Sequence, residues 1–121
     1  MFRRLIGGLI LSLLLLVAEL QARPNFTRLP QPTPQGVVGA VMVQTDSVVY
    51  VAGGWVPSTG KYSAQILRWD GREWKEAGLL RQPKAYGQAF AVSGGFVYAG
   101  GATAQGTSRG VDMYQFYENE L

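Results

Sequence analysis

The sequence predicts an all-β chain: two four-stranded antiparallel blades of an incomplete β-propeller, preceded by a helical signal peptide. Three observations predict it. Beyond residue 35, short apolar runs alternate with Gly-rich turns and no segment keeps a helical period. The run Tyr50-Val51-Ala52-Gly53-Gly54 returns as Val97-Tyr98-Ala99-Gly100-Gly101, a spacing of 47 residues that suits one propeller blade. At the start, Arg3 and Arg4 precede an apolar run over residues 5–18, and Ala22 offers the small residue at which a leader is cleaved.

Each element follows from local chemistry. The leader is expected over 1–22: its apolar run is broken at Glu19 and is shorter than the roughly 20 residues that cross a hydrocarbon core. No stable membrane anchor is expected after cleavage, and the product is expected to be periplasmic or secreted. Residues 23–35 form a Pro-rich segment, with Pro24, Pro30, Pro32 and Pro34, that cannot be helical and carries a candidate closing strand at 25–29. The first repeat, 36–84, is expected to hold strands at 36–43, 48–52, 65–69 and 73–77. A loop through Pro57, Ser58 and Gly60 separates the middle two strands, and Asp70-Gly71 makes a tight hairpin. The second repeat, 85–121, is expected to hold strands at 86–92, 96–99 and 111–117, with its fourth strand missing. The 47-residue shift, carried on, places Ile66 on Met113 and Trp69 on Phe116. Trp69 and Trp74, flanking the hairpin, are expected to pack between blades.

Composition removes several function classes. The chain has no Cys and no His, which excludes disulfides, thiol catalysis and the usual acyl-transfer triads and leaves a zinc site very hard to build. Neither metal nor cofactor is expected. The formal charge is +3, and no run of Lys and Arg exists to line a phosphate backbone, so nucleic acid is not an expected partner.

A Gly pair ending an apolar strand, then a loop, an aromatic, a hairpin and a Trp, resembles the Kelch motif. Across residues 29–121 the ordered set goes further: Gly36-Val37-Val38-Gly39, Ala52-Gly53-Gly54, Trp69-Asp70-Gly71, Trp74-Lys75, Ala85-Tyr86-Gly87 and Gly100-Gly101. This order resembles the carboxy-terminal blades of the N-acetylneuraminate epimerase family, the cyclically permuted mutarotases. The resemblance implies an exported Kelch propeller that, when intact, interconverts sialic acid anomers without a cofactor. Family members are about three times longer, with six blades. They place a proposed catalytic Glu directly after a Gly and an Arg later in the same loop. Here the second Gly of each pair is followed by Trp55 and Ala102, so no Glu carries over and the catalytic residues stay unassigned. The family's Arg before Ala-Tyr-Gly is Lys84 here, which keeps the charge and loses the planar fork.

Anomer interconversion needs an acid and a base, and a cation to hold the sugar carboxylate. Arg81, Lys84 and Arg109 lie in segments that join strands, where propeller ligands bind, and Tyr86 could donate a hydrogen bond. These four are the candidate substrate-binding residues. Asp46, Asp70 and Glu73 read as turn formers, and Asp112 opens a strand. The expected partner is sialic acid or a related carbohydrate, and the alternative is a non-catalytic Kelch module that binds a carbohydrate or a protein. Two blades leave strand edges and apolar faces uncovered, so self-association that completes a propeller is a further expectation.

Overall fold

Alternation of side chains organises the first sheet. Strand β1 (Val41–Gln44) turns Val41 and Val43 inward and Met42 and Gln44 outward. It pairs antiparallel with β2 (Val49–Ala52), which pairs with β5 (Gln65–Trp69), which pairs with β6 (Trp74–Leu79), giving the order β1-β2-β5-β6. The computed structural model from which this architecture is taken describes residues 25–45 and 48–117. The expected leader and the turn at Asp46-Ser47 lie outside the described residues, as do residues 118–121.

The second sheet repeats the plan: β7 (Gln88–Val92), β8 (Gly95–Ala99) and β11 (Val111–Gln115), in the order β11-β8-β7. Among the described residues it has three strands where the first has four. Between the second and third strands of each sheet the chain forms a short two-stranded ribbon, in the first repeat where the sequence predicts a loop. The ribbons are β3 (Trp55–Val56) with β4 (Lys61–Tyr62), and β9 (Ala102–Thr103) with β10 (Gly106–Thr107). The result is an all-β chain of two antiparallel blades, an incomplete β-propeller.

The ribbons correct the repeat register. Gly53 N–H donates to the Gln65 carbonyl, and its counterpart Gly100 N–H donates to that of Gly110. The first members are 47 residues apart and the second 45. Four residues, 57–60, cap the first ribbon and two, Ala104 and Gln105, cap the second. Past the ribbon, Ile66 therefore corresponds to Val111, Leu67 to Asp112 and Trp69 to Tyr114, not to the residues reached by a uniform shift of 47.

The core lies between the blades. Val41, Val43, Tyr50, Ala52 and Ile66 of the first sheet meet Phe96 and Tyr98 of the second, with Leu80 closing one end. Phe96 is the centre of an aromatic cluster, its ring 5.5 Å from Tyr50, 5.4 Å from Tyr114 and 6.3 Å from Phe116. The tryptophans do not pack between the blades. Trp69 and Trp74 face each other across the hairpin at 5.4 Å, and Trp74 Nε1 donates to the Pro30 carbonyl, 2.8 Å away, tying the N-terminal segment to β6. Tyr and Phe supply the interblade contact instead.

The Asp70-Gly71 hairpin forms for a local reason. Asp70 Oδ1 accepts from the backbone N–H groups of Arg72 at 2.8 Å and Glu73 at 2.9 Å, and Gly71 takes φ +97°, open to glycine. Those two bonds, with Glu73 the larger cause, hold the Asp70 carboxyl below its ordinary 3.8. Residues 25–31 carry no strand pairing; Phe26 is 91% exposed.

Candidate functional site

The connection from β6 to β7, residues 80–87, crosses from one blade to the other and carries three of the four candidate residues. Its backbone is pinned on the first blade: Gly54 N–H donates to the Lys84 carbonyl at 2.9 Å, and Lys84 N–H donates to the Ser63 carbonyl at 3.2 Å. Pro83 ends any helical alternative. The connection then enters β7 through Gly87, whose N–H donates to the Tyr98 hydroxyl at 3.3 Å.

The Lys84 side chain runs the other way, into the second blade. It is 1% exposed, its Nζ lies 3.7 Å from Asp112 Oδ2, and it sits 4.7 Å from the centroid of the Tyr98 ring. Carboxylate and ring face together compensate an ammonium taken out of water. Asp112 is shared: its Oδ1 is 3.8 Å from Arg81 Nη1. Arg81 is itself exposed at the side chain, while its backbone N–H donates to the Tyr114 hydroxyl at 2.9 Å. Burial raises both phenols, Tyr98 and Tyr114, above their ordinary 10.

Around this cluster opens a cleft of about 540 Å³ between the connection and the second ribbon. Arg81, Lys84 and Arg109 all line it, and Asp112 is its one carboxylate. The excess of positive charge is two. Its polar rim is fixed by short bonds: Gln82 Nε2 donates to Gln105 Oε1 at 2.9 Å, the Thr103 hydroxyl donates to the Gly106 carbonyl at 3.0 Å, and Gly110 N–H donates to Ser108 Oγ at 3.1 Å. Among the described residues no carboxylate pairs with Arg109, and its side chain is exposed on the rim.

The fourth candidate, Tyr86, lies elsewhere. Its N–H donates to the Gly39 carbonyl at 2.9 Å and its ring covers Gly39, outside the cleft lining. It takes φ +64°, the value near which its repeat counterpart Gly39, φ +73°, also sits. A tyrosine thus occupies a left-handed position that glycine fills more easily.

Two cleft residues escape a reading from motifs alone. Asp112 looks like a strand opener until the 45-residue correspondence places it on Leu67, a buried apolar position. Gln105 caps a ribbon too short to show any period. Among the described residues there is no group of three acidic, His or Cys side chains able to hold a metal. What the cleft can do is hold an anion with two guanidinium groups and orient neutral hydroxyls with amides and threonines.

No protein-family model matches the chain. It is 32% identical to the N-acetylneuraminate epimerases of Brucella suis and Brucella melitensis biotype 1 over 92 residues, covering 62% of this chain and 24% of each relative. The chain thus spans about a quarter of the length of the curated relatives it matches. Among solved structures, that of YjhT superposes with a TM-score of 0.64 at 24% identity, covering 75% of this chain and 31% of that one. In sequence this chain resembles the N-acetylneuraminate epimerases, and in fold it is a two-blade section of a β-propeller.

Proposed function

We propose that this chain works as part of an exported, sialic-acid-handling propeller, and that the cleft beside Lys84 holds the carboxylate of the sugar. The observation that carries the reading is the convergence of Arg81, Lys84 and Arg109 on one cleft with a single carboxylate. The roles divide. Lys84, buried against Asp112 and Tyr98, positions the floor; Arg81 and Arg109, on the rim, are the groups that reach a ligand. Amide and hydroxyl groups of Gln82, Gln105 and Thr107 suit the neutral oxygens of a sugar. The similarity to N-acetylneuraminate epimerases supports a nine-carbon acidic sugar as the ligand class, with mutarotation as the activity of an intact propeller.

A second reading, binding without catalysis, is favoured by the ribbons. The positions after each Gly pair are Trp55 and Ala102, and Asp112 is committed to two cations. Saturation-transfer NMR with sialic acid tests binding; the account expects signal from the parent chain and a loss of about tenfold or more in affinity for Arg109→Ala, the scale of one charge-assisted hydrogen bond. Following freshly released α-sialic acid by proton NMR tests catalysis: acceleration by the chain supports the enzymatic reading, and an unchanged rate with retained binding supports the second. Export is supported by the basic and apolar pattern of residues 1–22, and fractionation of expressing cells tests it.

A further inference from the structure

Tyr86 and Gly39 hold the same place in successive repeats, each two residues before the first strand of its blade. Both take left-handed backbone, at φ +64° and φ +73°. Glycine does so freely, whereas a tyrosine there brings its Cβ against the following carbonyl oxygen. The first blade thus shows the residue that fits this position without strain, and the second blade does not use it. Strained residues of this kind cluster where a ligand is clamped or a site is formed.

Packing does not account for the choice. The Tyr86 ring lies on the seam between the two blades, and both walls of that seam belong to this chain. Its N–H donates to the Gly39 carbonyl at 2.9 Å, and its Cδ1 and Cε1 stand 2.5 Å from where a Gly39 Cβ would be. Gly39 therefore leaves the room that the ring occupies. Yet Tyr86 remains 58% exposed, whereas Phe96 and Tyr98 are rings fully buried between the same blades. The hydroxyl is open too. Among the described residues it has no hydrogen-bond partner, while those of Tyr98, Tyr114 and Tyr117 are engaged. A glycine that clears space and a tyrosine that accepts a strained backbone together set one phenol where solvent reaches it.

The surroundings of this phenol are uncharged, since residues 37–40 and 85–87 carry no ionisable side chain besides it. On the other side of the same connection, Lys84 turns toward Asp112 and the cleft that Arg81 and Arg109 line. We infer that Tyr86 is a second contact for the ligand, a platform for the uncharged ring of the sugar whose carboxylate the cleft holds. The inference rests on the cleft reading for its ligand class. An exposed aromatic face accepts the C–H face of a pyranose, and the phenol hydroxyl both donates to and accepts from a sugar hydroxyl or amide.

Affinities for sialic acid and for its methyl ester, measured by NMR titration of the full chain and its variants, separate the two contacts. Tyr86→Gly installs the first blade's residue; it is expected to keep the parent's urea midpoint and to weaken acid and ester alike, by about fivefold. The preference for the acid is expected to survive in it. Tyr86→Asn, which also tolerates left-handed backbone, is the second variant and is expected to behave in the same way. Tyr86→Phe, which keeps the ring, is expected to bind with an affinity between those of the parent and Tyr86→Gly. Intermolecular NOEs from the Tyr86 ring to sugar C–H protons are expected in the parent. Unchanged affinity in both Tyr86→Gly and Tyr86→Asn overturns the inference, and so does loss of folding in both, which would make the ring a structural clamp. Equal binding of acid and ester by the parent overturns the cleft reading alone, because the platform is read from the ratio of parent to variant. A parent that binds neither compound overturns both.

Discussion

Two equivalent clefts in this molecule have opposite chemistry. In the first blade a cavity of about 290 Å³ is lined by Val37, Val51, Val56 and Leu67. Their counterparts in the second blade are Lys84, Tyr98, Thr103 and Asp112, around the 540 Å³ cleft. Backbone scaffolding is shared: each cleft is bounded by a Gly pair, a two-stranded ribbon and a connecting segment that arrives from the N-terminal side. The difference teaches that a blade tolerates either an apolar or an ionic filling at this place. A charged filling carries a desolvation cost that the apolar one does not, offset here by the Asp112 carboxylate and the Tyr98 ring face against Lys84.

The largest effect expected from breaking this contrast is to move one charge without its partner. Leu67→Asp places a carboxylate at a site 6% exposed whose neighbour is Val37, and about 4 kcal/mol of stability is expected to be lost in urea denaturation. The Gly pairs sharpen the comparison at the next level. A Cβ on Gly53, φ +70°, would stand 2.4 Å from the Lys84 carbonyl oxygen, whereas one on Gly100, φ +73°, would meet nothing nearer than 4.0 Å. Gly53→Ala is expected to cost roughly 3 kcal/mol and Gly100→Ala about 1 kcal/mol, the latter from the left-handed backbone alone. Equal costs would mean that the connection does not clamp the first blade.

Smaller again is Lys84→Val, expected to cost about 2 kcal/mol because Asp112 keeps Arg81 and part of its solvent. Adding Asp112→Leu, which installs the first blade's filling in the second, is expected to return stability to the parent value or above it while abolishing sugar binding. The smallest effects are those of pH. Asp70 is held below 3.8 by the backbone N–H groups of its turn, so its contribution is present above that value and is lost as pH falls through the lowered one. The stability difference between the parent and Asp70→Asn is therefore expected to close in acid. Tyr98 and Tyr114 are raised above 10 by burial; the unfolded chain ionises first, and stability is expected to fall above pH 10.

How much of this was legible in the sequence depends on the scale of the signal. The Gly pairs, the Asp-Gly hairpin and the seven longer strands announce themselves through turn chemistry and alternation, and Asp70 reads correctly as a turn former. The ribbons do not, since a pair such as Trp55–Val56 is too short to show a period. The second ribbon's cap, 104–105, is two residues shorter than 57–60, so a uniform shift of 47 loses the register past it and does not set Asp112 against Leu67. The tryptophans misled because their size suggests a core role, while an exposed hairpin and the Pro30 carbonyl satisfy them. Of the candidate cations, Arg81, Lys84 and Arg109 share a cleft because a connection and a ribbon from neighbouring blades converge, a tertiary fact invisible to spacing. Tyr86 shares their connection but not their direction, since its left-handed backbone turns it onto Gly39.

The carboxylate claim is tested most directly by titrating the chain, followed by heteronuclear NMR, with sialic acid and separately with its methyl ester, in which a neutral ester replaces the carboxylate. The account predicts shifts at Arg81, Arg109 and Gln105 with the acid, an affinity at least tenfold lower for the ester, and no such preference in Arg109→Ala. Equal affinity for acid and ester, or shifts confined to the first blade's cleft, would contradict it.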